Sequence, residues 1–269
     1  MSYETLDLRL DGPVAWLTLN RPESLNALNR QLVTELRDFL GGLPEHPEIR
    51  VVVLRGAGRV FCAGLDLKET GPGNGSSNRV GGVAAILRMQ RRISELAIMM
   101  RRAPQPIISC VQGAASGGGF ALALASDVRL AGESARMNAA FIRIGLSACD
   151  VGVSYFLPRL VGASLASELL LTGRFIHADR ALATGLVSAV VPDDQLEAEA
   201  TKLANEMIET SPNGLRLTKE CLNASLDAGS LEQVIAMEDR NQALCSSSPD
   251  LMEGVRAFLQ KRPPKYQDI

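Results

Sequence analysis

The chain has 269 residues, 28 Lys plus Arg against 30 Asp plus Glu, a net charge of -2, and is 46% hydrophobic and 22% charged. That is the balance of a globular protein with ample core. No lysine- or arginine-rich block offers a footprint for nucleic acid, and no apolar run reaches the roughly 20 residues a bilayer requires.

The opening MSYETLDLRLDG is acidic and has no apolar h-region, which argues against export and for a cytoplasmic protein. Next, VAWLTLN (14–20) and RVVVLRG (50–56) are β-branched, apolar and bounded by turn residues, as strands are. Between them ALNRQLVTELRDFL repeats leucine at 28, 32, 36 and 40, and Gly41-Gly42 follows as a helix stop. FCAGLDLKE (61–69) leads into GPGNGSSN (71–78), whose composition suggests a mobile loop. PIISCVQG is a further buried strand, followed by the run GAASGGGFALALASD (113–127). VRLAG (128–132) and LVSAVV (186–191) add short strands. From Pro192 the chain turns helical and amphipathic in QLEAEATKLANEMIET, PNGLRLTKECLNASL and LEQVIAMEDRNQAL, interrupted by SP, AGS and SSSPD. Strands alternating with helices predict an α/β fold, 1–191, with a helical region over 192–269 suited either to subunit packing or to capping its own core.

The chemistry-bearing residues are few. Cys62, Cys110, Cys149, Cys221 and Cys245 are odd in number and form no CxxC pair, so they read as reduced thiols. His46, in PEHPE, and His177, before ADRALATG, are the chain's two histidines. Metal sites and Ser-His or Cys-His catalysis are therefore poorly supplied, and no metal is expected. The glycine run lacks the Lys-Ser/Thr of a P-loop, and Gly117, Gly118 and Gly119 are contiguous rather than spaced GxGxxG. What remains is a strand-turn-helix junction with bare backbone N–H groups. It can receive an uncharged oxygen that becomes negative, or it can merely let a helix pack closely on a strand.

A second junction of this kind, GRVFCAGLDLKE, would bring another N–H to the same oxygen. Together with LNRPESLNALN, PIISCVQGAASGGGFALALASD, IGLSACDVGVSYFLPRLVG, LLLTGRFIHADRALATGLVSAVVP and AFLQKRPPKY, these segments resemble the crotonase, or enoyl-CoA hydratase/isomerase, superfamily over nearly the whole chain. The resemblance implies a spiral of β-β-α units and a C-terminal helical trimerisation region over 192–269, giving a homotrimer or a dimer of trimers. It implies an acyl-CoA thioester as partner, with coenzyme A entering as part of the substrate and not as a resident cofactor. The thioester oxygen would lie between the amides of Leu65 and Gly118. Coenzyme A contacts would fall at Ala63, Leu65, Leu67 and Lys68, with Phe258 and Lys261 covering the nucleotide, often from a neighbouring subunit.

The two glutamates usual in hydratases of this family align with Ala121 and Phe141, which cannot move a proton. Asp150, in ACDVG, matches the aspartate of dienoyl-CoA isomerases and is expected to be partly desolvated, with a raised pKa. A turn or N-cap role is the alternative for it. The same region aligns with the nucleophilic aspartate of chlorobenzoyl-CoA dehalogenases, but the histidine base which that chemistry wants is missing from 94–102. Asp66 and Asp127 are expected to fix local backbone, and Ser147, Ser154 and Tyr155 are polar reserves. Three functions remain open: an enoyl-CoA isomerase or atypical hydratase using Asp150, a covalent mechanism at Asp150, and an acyl-CoA-binding protein without turnover.

Overall fold

A computed structural model describes residues 3–70 and 82–267, the side chain of Thr70 excepted. The glycine-rich segment 71–78 lies outside the described residues.

The chain enters through β1 (Leu6–Asp11) and β2 (Val14–Leu19), an antiparallel pair. It continues through α1 (Arg30–Gly42), β3 (Val51–Gly56), the short α2 (Leu67–Thr70) and α3 (Gly82–Arg102). There follow β4 (Ile107–Val111), β5 (Ala114–Ser116), α4 (Gly118–Ala125), β6 (Val128–Gly132) and β7 (Arg136–Asn138). Next come α5 (Val153–Val161), α6 (Ala163–Thr172), β8 (Ile176–His177), α7 (Ala178–Ala183) and β9 (Ala189–Val191). Four helices end the chain: α8 (Leu196–Ile208), α9 (Pro212–Ser225), α10 (Leu231–Ser246) and α11 (Pro249–Leu259).

Among the described residues a large sheet runs in the order β1-β2-β3-β4-β6-β9, parallel from β2 onward, and a small sheet in the order β5-β7-β8. A strand of the large sheet is followed by one of the small sheet, as β4 by β5 and β6 by β7, which is the winding of a β-β-α spiral. The apolar strands are explained by burial on both faces. Along β2 and β3, Ala15, Leu17, Leu19, Val52 and Leu54 enter one core, with α1, α3 and α4. Val14, Trp16, Val51 and Val53 enter the other, against Leu196, Ala200 and Ala204 of α8. The two-residue period of a strand sorts these side chains.

The leucine repeat at 28–40 does form a helix, but it begins at Arg30, where the side chain of Asn29 accepts from Leu32 N at 2.8 Å. Leu28 is left outside and pairs instead with Leu65. The strand expected over 186–191 is shorter than its apolar run: Leu186 and Val187 are buried ahead of β9 without joining the ladder. The β1 strand and the small sheet carry no run of apolar residues and were not expected.

Of the C-terminal helices, α8 covers the large sheet, while α9 to α11 bury few residues and expose Leu222, Leu231, Leu251, Phe258 and Leu259. α9 is anchored to the core by Lys219. Its ammonium pairs with Asp127 at 2.7 Å and donates to the carbonyls of Met100 and Gln105 at 3.0 and 2.8 Å. Among the described residues no helix is long and apolar enough to cross a membrane, and no cluster of His, Cys, Asp or Glu could hold a metal.

Candidate active site

The segment 61–66 runs between two neighbours. On one side Cys62 N donates to Ala114 O at 3.1 Å and Ser116 N to Cys62 O at 2.9 Å. On the other, Leu28 N donates to Gly64 O at 2.7 Å and Asp66 N to Leu28 O at 3.0 Å. In such a parallel bridge the flanking peptides make the bonds, so the amide of Leu65 points away from Leu28. Beyond the Cys62–Ala115 bridge the two segments stay close, since a Cβ on Gly64 would lie 3.4 Å from Gly118 N. Gly118 opens α4, where an N–H has no partner within the helix. Neither the Leu65 nor the Gly118 amide donates a hydrogen bond among the described residues.

Each glycine of the run has its own cause. Gly117 adopts φ 51, ψ -117, a conformation for which a side chain is strained. A Cβ on Gly118 would come within 2.7 Å of Leu28 Cδ1, and one on Gly119 would overlap the Cys62 carbonyl oxygen. Across the gap, Gly64 has φ +95, and a Cβ there would lie 2.7 Å from Ser116 O and 3.4 Å from Gly118 N. The close packing of the two loops and the presentation of the two amides therefore have one origin. Gly64→Ala is expected to abolish turnover and to destabilise the fold by about 1–3 kcal/mol through backbone strain. Thermal melts and acyl-CoA assays on one preparation would check both effects.

The loop is braced from behind. Asp66 pairs with Arg21 at 2.9 Å and accepts from Lys68 N at 3.1 Å. Fully buried Asn26 donates to the carbonyls of Ala57 and Val60, each at 2.9 Å, and accepts from Arg21 N at 3.0 Å. Asp66 thus fixes backbone, as expected, and so does Asp127, which accepts from Ile107 N at 2.8 Å. Asn26 and Arg21 went unremarked in the sequence, although both lie in LNRPESLNALN.

Asp150 stands in the turn that opens α5. Val151 has φ 47 and Gly152 φ 84, two left-handed residues in succession, the first of them β-branched and therefore strained. Asp150 Oδ1 accepts from Val151 N at 2.8 Å and also from Gln90 Nε2 on α3. Burial pushes its carboxyl above the ordinary aspartate range, against the lowering effect of those two donors. The bond to α3 and the turn into α5 tie it to two helices that both pack on α4, the helix headed by Gly118. Ala121 is fully buried one turn into α4, and the Phe141 ring lies where a Cβ on Gly117 would meet it at 3.4 Å. Neither position offers a proton.

The remaining expected residues divide into two groups. Ala63 donates to Leu25 O at 3.0 Å and lines a groove of about 1310 Å³, while Leu65 is half-buried and Leu67 and Lys68 are exposed. Phe258 and Lys261 belong with α11, which packs on α10, and Phe258 lines a separate cavity of about 410 Å³ with Leu251, Val255 and Tyr266. The larger groove contains none of Leu65, Gly118 and Asp150, and its Trp16 is flanked by Arg9 and Arg55, both paired with Glu197 at 2.7 and 2.6 Å. His46 closes the turn after α1, His177 ends β8 and caps the start of α7, and Tyr155 donates to Asp227 at 2.6 Å. Burial pushes the Cys62 and Cys110 thiols up to about 12, so both are inert.

A family profile described as enoyl-CoA hydratase/isomerase matches residues 10–269. The chain is 40% identical over 256 residues to the probable enoyl-CoA hydratase EchA12 of Mycobacterium tuberculosis, covering 95% of this chain and 90% of that protein. It is 36% identical over 258 residues to the 1,2-epoxyphenylacetyl-CoA isomerase of Escherichia coli K12, covering 94% of each. Among solved structures, the enoyl-CoA hydratase of Bacillus anthracis superposes with a TM-score of 0.92 at 33% identity, over 99% of this chain and all of that one (100%). With this winding of strands and these two facing loops, the chain belongs to the enoyl-CoA hydratase/isomerase family of the crotonase superfamily.

Proposed function

We propose that the protein moves a double bond in an enoyl-CoA, with Leu65 and Gly118 polarising the thioester and Asp150 shuttling the proton. The observation that carries this is the pair of unbonded amides on adjoining loops, together with the half-buried Asp150 carboxylate held by two helices that pack on α4. Asp150 would take a proton from one carbon, leaving a dienolate whose charge rests on the thioester oxygen. The same carboxyl, after exchange with solvent, would then deliver a proton to the other end of the conjugated system. No atom is gained or lost, so one acid/base suffices. Each aimed amide would contribute about 3 kcal/mol to the enolate-like state, reinforced by the N-terminal end of α4.

Coenzyme A would lie along Ala63, Leu65, Leu67 and Lys68. Phe258 and Lys261 would come from a neighbouring subunit across the exposed faces of α9 to α11, as a homotrimer or a dimer of trimers would allow. With Ala121 and Phe141 in place of carboxylates, the acyl pocket favours long or bulky chains. Dissociation constants are expected to fall as the acyl chain of a saturated acyl-CoA series lengthens, and a rise with length would contradict that. The same two residues support a second reading, a protein that binds acyl-CoA without turnover.

The test is incubation with 2-enoyl- and 2,4-dienoyl-CoA thioesters in deuterated water. Deuterium entering the α- or γ-carbon, and lost in Asp150→Asn, supports the isomerase. Tight binding with no exchange at any chain length supports the second reading.

A further inference from the structure

On its buried side α3 carries Ile93, Leu96, Ala97 and Met100. Gln90 lies three and seven residues before Ile93 and Ala97, which places a neutral polar side chain on the same stripe. It is half-buried, and its amide is spent on Asp150 Oδ1. The second donor to that oxygen, Val151 N, comes from the strained left-handed turn. One carboxylate oxygen is thus taken by two donors from separate elements, while Oδ2 has no hydrogen-bond partner among the described residues. Rotation about the carboxylate bond would otherwise exchange the two oxygens freely.

We infer that Gln90 is a positioning residue for Asp150: with the Val151 amide it clamps Oδ1, so that Oδ2 is the oxygen that meets the acyl chain. This rests on the assignment of Asp150 as the acid/base. A neutral amide suits the task, because it orients the carboxylate without the strong loss of basicity that a cation would bring. The charges on the surrounding elements are engaged elsewhere or face solvent. On α3, Arg92 bonds Thr34, Glu95 bonds Arg37 and Arg101 pairs with Asp127, while Arg88 and Arg91 are exposed. On α5, Arg159 pairs with Asp227, Arg143 ahead of the turn reaches Thr172 O, and α4 has no charged residue. None of these charges perturbs the Asp150 carboxyl, whose influences are burial, Val151 and Gln90.

The experiment follows the Asp150 carboxyl directly by isotope-edited NMR, its resonance assigned by its loss in Asp150→Asn, alongside deuterium incorporation from 2-enoyl- and 2,4-dienoyl-CoA. Gln90→Leu keeps the apolar stripe and is expected to raise the proton affinity of Asp150 about tenfold, the worth of one hydrogen bond to a charged group. The acid limb of kcat/KM should move up with it, and KM should change less than kcat. Gln90→Glu, which places a second carboxylate there, should move the titration further in the same direction. A titration and acid limb unchanged in both variants, with Asp150→Asn inactive, would overturn the role of Gln90 alone. Exchange that survives Asp150→Asn would instead overturn the acid/base assignment, and the positioning role with it.

Discussion

Asp150→Asn is expected to lose about 10²–10⁴-fold in turnover, the usual worth of a placed acid/base, while binding acyl-CoA as well as before and melting at a higher temperature. The amide is nearly isosteric, and its oxygen can still accept from Val151 N and Gln90, so the turn is kept. In the proposed mechanism thioester binding would rest on the Leu65 and Gly118 amides and on the 63–68 segment, none of which the change touches. The stability gain follows from the direction of the pKa. Burial raises the Asp150 carboxyl, so the folded state prefers the protonated form. The cost of holding the anion is therefore absent below the ordinary aspartate range. It grows as pH rises through the window between that range and the raised value, and it is fully present above it. Unfolding curves of the two proteins should converge at acid pH and separate toward neutrality. Activity runs the other way: the wild-type rate should fall on the acid side of the raised value, where the base is protonated. A variant that lost turnover and stability together at neutral pH would identify Asp150 as a structural turn residue.

The course of the main strands was legible because they are buried on both faces and so spell unbroken β-branched runs. Small-sheet strands were not, because Ala114–Ser116 and Arg136–Asn138 are three residues each, too short for a period to show. In β1, LDLRLD alternates leucine with charge as an edge strand does, but its acidity drew attention first. The site shows the same contrast. Two facing glycine loops can be read as backbone donors, since elimination removes the phosphate readings. Their close approach, Gly64 beside Gly118, depends on the bridges to Leu28 and Ala115, which no local pattern announces. Gln90 illustrates the limit most plainly. A polar residue on the apolar stripe of a helix is a visible anomaly, but the partner that explains it is 60 residues away.

Lys219→Ala should be among the most destabilising single substitutions in the chain, costing about 3–5 kcal/mol, as breaking one half of a buried ion pair does. Lys219 is 5% exposed and joins α9 to three parts of the core: the Met100 carbonyl near the end of α3, the Gln105 carbonyl before β4, and Asp127 before β6. Removal would leave Asp127 with the Ile107 amide and with Arg101, a weaker ionic partner at 3.5 Å, and two carbonyls without their donor. Burial holds the Lys219 ammonium below the ordinary lysine value against the opposing pull of Asp127. That cost is fully present below the lowered value and is relieved as pH climbs from there to the ordinary one. The pair's value therefore lies in its complete set of partners and not in the charge itself. Lys219→Met combined with Asp127→Asn should therefore cost less than the sum of those two single substitutions, the interaction energy being read from that double-mutant cycle. Denaturant unfolding at one fixed protein concentration is the measurement, since subunit association would otherwise shift the apparent stability. Additive effects would show the two side chains to be uncoupled. The functional consequence is separable from the chemistry. α9 is tethered ahead of α11, which carries Phe258 and leads into Lys261, so if those two residues cover coenzyme A as proposed, Lys219→Ala should, at temperatures where the fold survives, weaken coenzyme A affinity and leave deuterium exchange at saturating substrate unchanged.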